Sequence, residues 1–301
     1  MVEILFVFDN LTKPKRKNLS WSIANQIVID PLIGCTIDSD AINTSFLLYK
    51  KVTEQYNDQK ILENIRQLIP DTFLREDNND SKNLLISLLK WFKEEFMQWT
   101  PTQIICCNCS ASLNAANSID NSKYIMKPEI VIGQSWKLRK TEIHTCSKCR
   151  SVHTFPRYGE VLRISQTRTG RCSEWSILFG AILSSLHLQA RIVHDYLDHC
   201  WNEVLIDDNW THVDSTLQYP ISLNHPHYYE QNWGKKYLYV LAFDSDKVED
   251  VTLKYTKQWD NVLLRRKKQH EANHNNDNCI SCNGQDSGPI LDFQNNYSDI
   301  I

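Results

Sequence analysis

Gly170-Arg-Cys-Ser-Glu-Trp175 is the stretch on which the interpretation of this 301-residue sequence depends. Gly170 permits a tight entry into a helix that we predict over about residues 172–188, with Trp175 on its buried face. Cys172 then lies in the first turn, where free backbone N–H groups and the positive end of the helix dipole stabilise a thiolate. Because a single cysteine is more often an inert buried residue, this position alone leaves a catalytic and a structural interpretation open.

A thiolate nucleophile needs a base and a group that orients the base. Downstream, residues 200–206 and 210–213 are predicted as adjacent strands of one hairpin that turns at Asp207-Asp208. In that register Asp214 faces Trp201, and His199 is its diagonal neighbour on the same face, within reach of the side chains. The sequence therefore favours His199 as base and Asp214 as the orienting carboxylate.

The hairpin leaves alternatives open. A turn shifted by one residue keeps both groups on one face of the sheet, whereas a three-residue turn places them on opposite faces. His212 shares the face and is a rival base, but it lies opposite Glu203 in the predicted register. We interpret that pair as supporting structure.

Two cysteine pairs upstream have the spacing of metal ligands. Cys106-x-x-Cys109 and Cys146-x-x-Cys149 supply four thiolates for a tetrahedral site. Four cysteines leave no open coordination position, so we predict one structural zinc ion, with Cys107 as a bystander. The alternative is a set of reduced, unligated thiols.

A third pair, Cys279-x-x-Cys282, lies in a polar segment with His270 and His274 upstream at helical spacing. A second metal site there is the weaker interpretation, because little apolar sequence surrounds the four groups. We expect the segment 265–301 to be a polar tail.

Composition sets broad limits on function. Hydrophobic residues make up 42% and charged residues 23% of the chain, and the formal net charge of −3 gives no indication of nucleic-acid binding. No segment is long and apolar enough to span a membrane, and the start, Met1 to Phe8, lacks the basic residues of a signal peptide. We expect a cytoplasmic protein, with the nucleus as a second location.

The predicted organisation is of the α+β class, in four regions. An N-terminal, largely helical region (1–100) precedes a zinc-binding lobe (101–154), a catalytic core (155–264) and the tail (265–301). Within the first region an apolar stripe from Leu84 to Phe96 follows helical periodicity. It packs either on the protein's own core or against a partner. Residues 237–243 are predicted as a further buried strand.

Three motifs in this order, GRCSEW (170–175), DHCWNEV (198–204) and NWTHVD (209–214), resemble the transglutaminase-like superfamily. With the two cysteine pairs, FPRYGE (155–160) and QNWGKKYLYVLAF (231–243), they are similar to the cytosolic peptide:N-glycanase family over roughly residues 80–260. The resemblance implies a papain-like cysteine hydrolase core.

It also implies removal of N-linked glycans from misfolded glycoproteins exported from the endoplasmic reticulum, with no nucleic acid as partner. Cys172, His199 and Asp214 match the family's nucleophile, base and orienting residue. Residues that would contact the substrate or support the site also match, namely Trp175, Arg191, Trp201, Glu203, Trp210 and Trp233. Shorter members dock a Rad23-type proteasome shuttle protein, which the stripe from Leu84 to Phe96 or earlier sequence would bind here.

The sequence departs from the family pattern at two places: Ser173 stands where the motif has Gly, and Thr216-Leu217 where the family often has Cys-Glu. Rival functions are a cysteine peptidase, a calcium-dependent transglutaminase, and an adaptor of the proteasome pathway with an inactive triad.

Overall fold

The computed structural model describes a central body of the chain and several shorter segments around it. The described residues are 2–4, 19–21, 28–30, 35–36, 48–74, 81–100, 104–113, 117–119, 138–146, 148–245 and 247–268. The third cysteine pair, Cys279-x-x-Cys282, and nearly all of the predicted tail lie outside them.

Four short strands come first: β1 (Val2–Ile4) pairs with β2 (Leu19–Trp21), and β3 (Val28–Asp30) with β4 (Cys35–Thr36). These strand pairs differ from the largely helical region that we expected over residues 1–100. Among the described residues, helical structure begins at residue 48.

Three helices form one layer of the body. They are α1 (48–53), α2 (Gln59–Arg66) and α3 (Ser81–Trp91), with 3-10 turns at Glu54–Asn57 and Asp71–Phe73 and a π turn at Phe92–Phe96. Asp58 caps α2, because its carboxylate accepts the backbone N–H groups of Lys60 and Ile61. The helix ends before Pro70, a residue that a helix interior does not accommodate.

The apolar stripe of α3 is turned into the protein. Leu85, Leu88, Phe92 and Phe96 are buried in the main hydrophobic cluster, and Leu84 is partly buried against it. The stripe therefore packs on the protein's own core, which was one of the two predicted alternatives. It is not available as the docking face for a Rad23-type protein.

The predicted nucleophile helix is the central element of the core. This helix, α5 (Cys172–Ser185), is buried along almost its whole length. It follows α4 (Val161–Thr167) and β11 (Thr169–Gly170) and packs on β12 (Ala190–His194) and β13 (Cys200–Ile206). An element surrounded by packing on all sides can hold a reactive side chain in one place.

The main sheet has five antiparallel strands, in the order β14-β13-β12-β15-β16, where β14 is Asn209–Val213, β15 is Leu241–Phe243 and β16 is Val248–Asp250. Strands β13 and β14 form the predicted hairpin with its turn at Asp207-Asp208. Their pairs, among them Leu205 with Trp210 and Glu203 with His212, confirm the predicted register.

The predicted strand over residues 237–243 is shorter in the structure. Only Leu241–Phe243 pair in the sheet, because side chains engage the backbone of the preceding residues instead. Arg265 and Arg266, in the last helix α8 (259–268), donate to the carbonyls of Tyr237 and Leu238, and Thr252 accepts the N–H of Val240. These bonds satisfy backbone groups that a strand would have used in its ladder.

The predicted zinc lobe is built on small sheets. Strands β8 (Asn117–Ile119), β9 (Leu138–Thr145) and β10 (Val152–Tyr158) form one, and β6 (Ile104–Ile105) pairs with β7 (Ser112–Leu113) in another. A parallel pair, β5 (Gln98–Trp99) with β11, lies beside the nucleophile helix.

Two of the predicted boundaries fall inside elements. Strand β10 crosses the one expected at residue 154, and α8 crosses the one expected at residue 264. Lobe and core therefore share a strand. Short helices α6 (Tyr228–Asn232) and α7 (Thr252–Tyr255) complete the body. Among the described residues, none of the helices has the length and apolar character needed to cross a membrane.

Candidate active site

Cys172 is the first residue of α5 and is partly exposed. Gly170 precedes it at a point where a Cβ atom would collide with the side chain of Glu174, which explains the need for glycine there. The first helical hydrogen bond runs from the N–H of Trp175 to the carbonyl of Arg171, at 3.0 Å. The N–H groups of Cys172 and Ser173 therefore precede the helical ladder and point toward its N-terminal end.

His199 and Asp214 are brought together by the hairpin. The Nε2 atom of His199 lies 2.7 Å from Oδ2 of Asp214, and both side chains are buried. Because Nε2 is engaged by the carboxylate, Nδ1 is the ring nitrogen left for the hydrogen bond between His199 and Cys172. The other carboxylate oxygen, Oδ1, accepts the N–H and the hydroxyl of Thr216, at 2.9 and 2.6 Å.

The electrostatics favour an ion pair between the cysteine and the histidine. Burial alone would lower the pKa of His199, but the charge and hydrogen bond of Asp214, together with Cys172, raise that pKa to about 10. Burial would raise the pKa of Asp214, but His199 and Thr216 hold it far below its usual value. The arrangement therefore supports an imidazolium between a thiolate and a carboxylate.

The nucleophile has a second sulfur beside it that sequence reasoning missed. A hydrogen bond with Cys200 lowers the pKa of the Cys172 thiol and is the largest cause of its shift. Burial acts in the opposite direction, but the hydrogen bond with His199 adds to the effect of Cys200, and the pKa lies well below its usual value. Cys200 is buried at the start of β13, and Ser176 joins the two elements by donating to the carbonyls of Cys172 and Cys200. In the sequence, only the position of Cys200 next to the predicted base, His199, could have indicated its contact with Cys172.

A buried ionic network links the N-terminal end of α5 to β9 of the lobe. Arg157 donates to both carboxylate oxygens of Glu174, at 2.8 and 3.0 Å, and to Glu142 at 2.8 Å. Arg171 also pairs with Glu142, at 2.7 Å. Ser173, one of the departures from the family motif, accepts a hydrogen bond from Arg157 at 3.3 Å. The charge of Arg157 also lowers the pKa of Cys172.

A second ionic cluster holds the sheet behind the site. Arg191 pairs with Glu203 at 2.6 Å, and its guanidinium lies 4.0 Å from the ring centre of Trp210. Burial would raise the pKa of Glu203, but Arg191 and Lys254 lower it to about 2. The ring of Trp210 therefore packs on the guanidinium of Arg191. Trp210 lies two residue pairs along the hairpin from His212.

The remaining predicted tryptophans have different surroundings. Trp175 is buried and donates its ring N–H to the carbonyl of Gly170, at 3.1 Å. Trp201 is buried too, with its ring 5.7 Å from that of His199. Trp233 is partly exposed, with its ring 5.0 Å from His199. Of the three, Trp233 has surface to offer a ligand, whereas Trp175 and Trp201 are placed to support the site.

The four cysteines predicted as metal ligands form one cluster. The sulfur atoms of Cys106, Cys109, Cys146 and Cys149 all lie within 4.8 Å of one another. Sulfurs around a tetrahedral zinc ion, each about 2.3 Å from the metal, are about 3.8 Å apart, so the quartet fits a metal ion. Ser151 lowers the pKa of Cys149 to about 6, which favours the thiolate that binds metals. Cys107 is exposed and lies outside the quartet.

The α+β core and the Cys172–His199–Asp214 constellation indicate the class of protein, and a comparison of sequences agrees. Residues 134–215, which include all three side chains, match the family profile of the Transglutaminase-like superfamily. The chain therefore carries a transglutaminase-like domain, as the motifs predicted.

Relatives with curated names give a more specific comparison than the superfamily profile does. A Macaca fascicularis protein named peptide-N(4)-(N-acetyl-beta-glucosaminyl)asparagine amidase is 37% identical over 216 residues, covering 71% of this chain and 31% of the relative. Its human counterpart is 36% identical over 196 residues, covering 64% of this chain and 28% of the relative. A Yarrowia lipolytica protein of the same name is 35% identical over 185 residues, covering 60% of this chain and 49% of the relative.

These similarities make the chain a homologue of peptide:N-glycanases. The chain spans about a third of the length of the animal relatives and about half of the yeast one.

Proposed function

We propose that this protein is a peptide:N-glycanase, an amidase that cleaves the bond between an N-linked glycan and its asparagine and leaves aspartate in the polypeptide. The observation that carries the proposal is the buried hydrogen bond between His199 and Asp214, together with the hydrogen bond that joins His199 to Cys172. This arrangement provides an ionised sulfur and a protonated imidazole at one place, as amide cleavage by a cysteine nucleophile requires. The names of the relatives supply the class of substrate.

In the first step the Cys172 thiolate attacks the side-chain carbonyl carbon of the glycosylated asparagine. The N–H groups of Cys172 and Ser173 are placed to donate to the oxyanion, and one such donor contributes roughly 3–4 kcal/mol in comparable sites. His199, as imidazolium, gives its proton to the departing nitrogen, and the glycan leaves as a glycosylamine. A thioester to Cys172 remains.

In the second step His199, now neutral, removes a proton from water, which attacks the thioester carbonyl. The carbon–sulfur bond breaks, the thiolate of Cys172 is restored, and the former asparagine is released as aspartate. Asp214 keeps the ring of His199 in one orientation throughout and stabilises its charge. The exposed part of Trp233 offers a flat apolar surface beside the ring, suited to a sugar face or a peptide side chain.

We propose zinc as the ion of the cysteine quartet. Four thiolate ligands satisfy its preference for tetrahedral sulfur coordination and leave no site for a substrate, so its role is structural. When bound, zinc neutralises thiolates that would otherwise repel one another.

The cellular setting is part of the proposal. The substrates are misfolded glycoproteins exported from the endoplasmic reticulum, met in the cytoplasm or secondarily in the nucleus, where a reducing environment keeps Cys172 out of disulfides. A Rad23-type proteasome shuttle protein is the proposed partner. Since Leu85, Leu88 and Phe92 are buried, its contact must use other residues. A binding titration between the two purified proteins tests this part.

Mass spectrometry of a defined N-glycopeptide tests the activity. We expect the wild-type protein to release the glycan and leave the mass of aspartate at the former glycosylation site. Cys172→Ala should produce none of this product, whereas Cys107→Ser, a change at an exposed cysteine outside both sites, should react like wild type. Aspartate formation by Cys172→Ala would refute the proposal. Elemental analysis of the same samples should find zinc in all three proteins.

A further inference from the structure

Tyr229, a residue outside the predicted triad, contacts Asp214, and the role assigned to it here rests on the proposed function. Tyr229 lies in α6 and is fully buried. Its hydroxyl donates to Oδ2 of Asp214 at 2.7 Å, the same oxygen that meets Nε2 of His199 at 2.7 Å. With the two bonds from Thr216 to Oδ1, each oxygen of the carboxylate accepts two hydrogen bonds.

The chain of hydrogen bonds continues beyond Tyr229 to a second histidine. Nε2 of His212 lies 2.7 Å from the hydroxyl oxygen of Tyr229. An ionised carboxylate can only accept, so the single hydroxyl hydrogen of Tyr229 is committed to Asp214. His212 must therefore donate from Nε2 to the hydroxyl oxygen.

The contact made by the second ring nitrogen of His212 is consistent with donation from Nε2 to Tyr229. Its Nδ1 faces the backbone N–H of His225 at 3.3 Å and so acts as acceptor. The ring is consequently neutral, with its one hydrogen on Nε2. Burial favours the same state, since it lowers the pKa of His212 to about 3. This assignment also removes His212 as a rival base, because neither nitrogen is directed at Cys172.

Packing fixes the ring of Tyr229 in place. Trp201 stacks on it with ring centres 4.7 Å apart and an angle of 25°. The rings of His199 and Trp233 lie at 5.2 and 5.1 Å. A side chain enclosed in this way loses little entropy when it holds a partner, so its hydroxyl can define the position of the carboxylate.

We propose that Tyr229, held by His212, is the positioning residue of this site: it fixes the plane of the Asp214 carboxylate so that Oδ2 stays directed at Nε2 of His199. Without it, Oδ2 keeps one donor and the carboxylate can turn about the bonds from Thr216. Tyr229 and His212 are fully buried, so they act through Asp214 and do not touch the substrate. The rate of the chemical step depends on them, and substrate binding does not.

Steady-state kinetics on matched tyrosine variants tests this role. Tyr229→Phe removes only the hydroxyl, and we expect kcat to fall about tenfold or more with KM unchanged, as for a lost bond to a charged group. The control is Tyr237→Phe, a tyrosine buried in the same aromatic cluster whose hydroxyl has no hydrogen-bond partner among the described residues. It should leave both constants unchanged.

A second pair of variants tests the role of His212. Glutamine can present a side-chain N–H to Tyr229, whereas leucine cannot. We expect His212→Gln to retain several-fold more activity than His212→Leu, at equal KM. Equal kcat values for these two folded variants would contradict the proposed direction of the chain. If Tyr229→Phe does not fold, the two His212 variants still test whether the hydrogen bonds through Tyr229 affect kcat.

Nitrogen NMR of histidine-labelled protein supplies a readout that needs no substrate. We expect His212 to remain the neutral Nε2–H tautomer from about pH 5 to pH 8. The proton shared by His199 and Asp214 should shift or broaden in Tyr229→Phe and stay in place in Tyr237→Phe. A folded Tyr229→Phe with wild-type kcat and an unmoved proton resonance would overturn the proposal. A wild-type protein that removes no glycan would refute the proposed function, while the NMR result would still decide the role of Tyr229.

Discussion

The nucleophile site and the cysteine quartet both gather sulfur atoms, but different forces hold them together. Cys172 and Cys200 meet where α5, which is buried in the main hydrophobic cluster, packs on β13. Within the described part of the lobe, apolar packing around the quartet is limited to the cysteines themselves and Ala111. The first cluster is thus placed by burial of the chain, whereas packing does little to hold the second together, and this favours the proposed metal ion as its support.

The two regions are nevertheless connected. Cys146 of the quartet directly follows β9, and β9 itself carries Glu142, whose carboxylate pairs with Arg157 of β10 and with Arg171, the residue before α5. A disturbance of the metal site can therefore reach the nucleophile helix through one strand. Single substitutions can disturb each region separately, and one at Glu142 can disturb the link between them.

The largest expected effect comes from Asp214→Asn, which breaks the nucleophile site alone. The amide cannot stabilise the imidazolium and can favour the wrong tautomer of His199, so kcat should fall about 10⁴-fold. Zinc content should not change, because the quartet is built on other strands. Glycopeptide kinetics and elemental analysis measure both quantities. Asp260→Asn, at an exposed position, is the control. A loss of zinc in Asp214→Asn would show that the regions are not separate.

A smaller effect is expected from Cys146→Ser, which breaks the quartet. We expect zinc to be lost and activity to fall about 100-fold, the size seen when catalytic groups move by about 1 Å. Hydrogen exchange should rise in β9 and β10 and remain slow in α5 and β13.

The control for that variant is Cys107→Ser, in the loop that carries Cys106 and Cys109 but outside the quartet, which should keep its zinc. If exchange in Cys146→Ser rose equally in α5 and β13, the two regions would form one cooperative unit, and the comparison would be wrong.

The smallest effect is expected from Glu142→Gln, which weakens the link and leaves both sites intact. Arg157 and Arg171 lose their shared carboxylate charge, so the free energy of unfolding should fall by about 3 kcal/mol. Loosening of the N-terminal end of α5 should lower kcat about tenfold. Denaturant unfolding and kinetics give the two values, with Glu95→Gln, an exposed glutamate, as control. Unchanged kcat would mean that the network serves stability only.

The hairpin shows what could be predicted from sequence. Its two-residue turn at Asp207-Asp208 fixes the register, and an alternation of period two then places His199 and Asp214 on one face. The buried helix after Gly170 and the spacing of the cysteine quartet were predictable for similar local reasons. Their roles in catalysis and metal binding remain predictions.

Contacts between distant segments could not be predicted in this way. Tyr229 reaches Asp214 from a short helix whose position depends on tertiary packing, and Arg157 joins Glu142 to Glu174 across two elements. Residues 237–240 have the composition of a strand, but arginine side chains from α8 bind part of their backbone. Local patterns contain no information on such partners.

The rate of alkylation of Cys172 by iodoacetamide as a function of pH, followed by mass spectrometry of the peptide that contains it, tests the central claim most directly. The pKa of Cys172 lies well below its usual value and that of His199 is raised to about 10, so the thiolate–imidazolium pair persists between the two. We predict a rate that stays nearly constant from about pH 9 down to pH 6.5. A rate that rises with a midpoint near pH 8.5, and has fallen about 100-fold at pH 6.5 as for an ordinary thiol, would contradict the account.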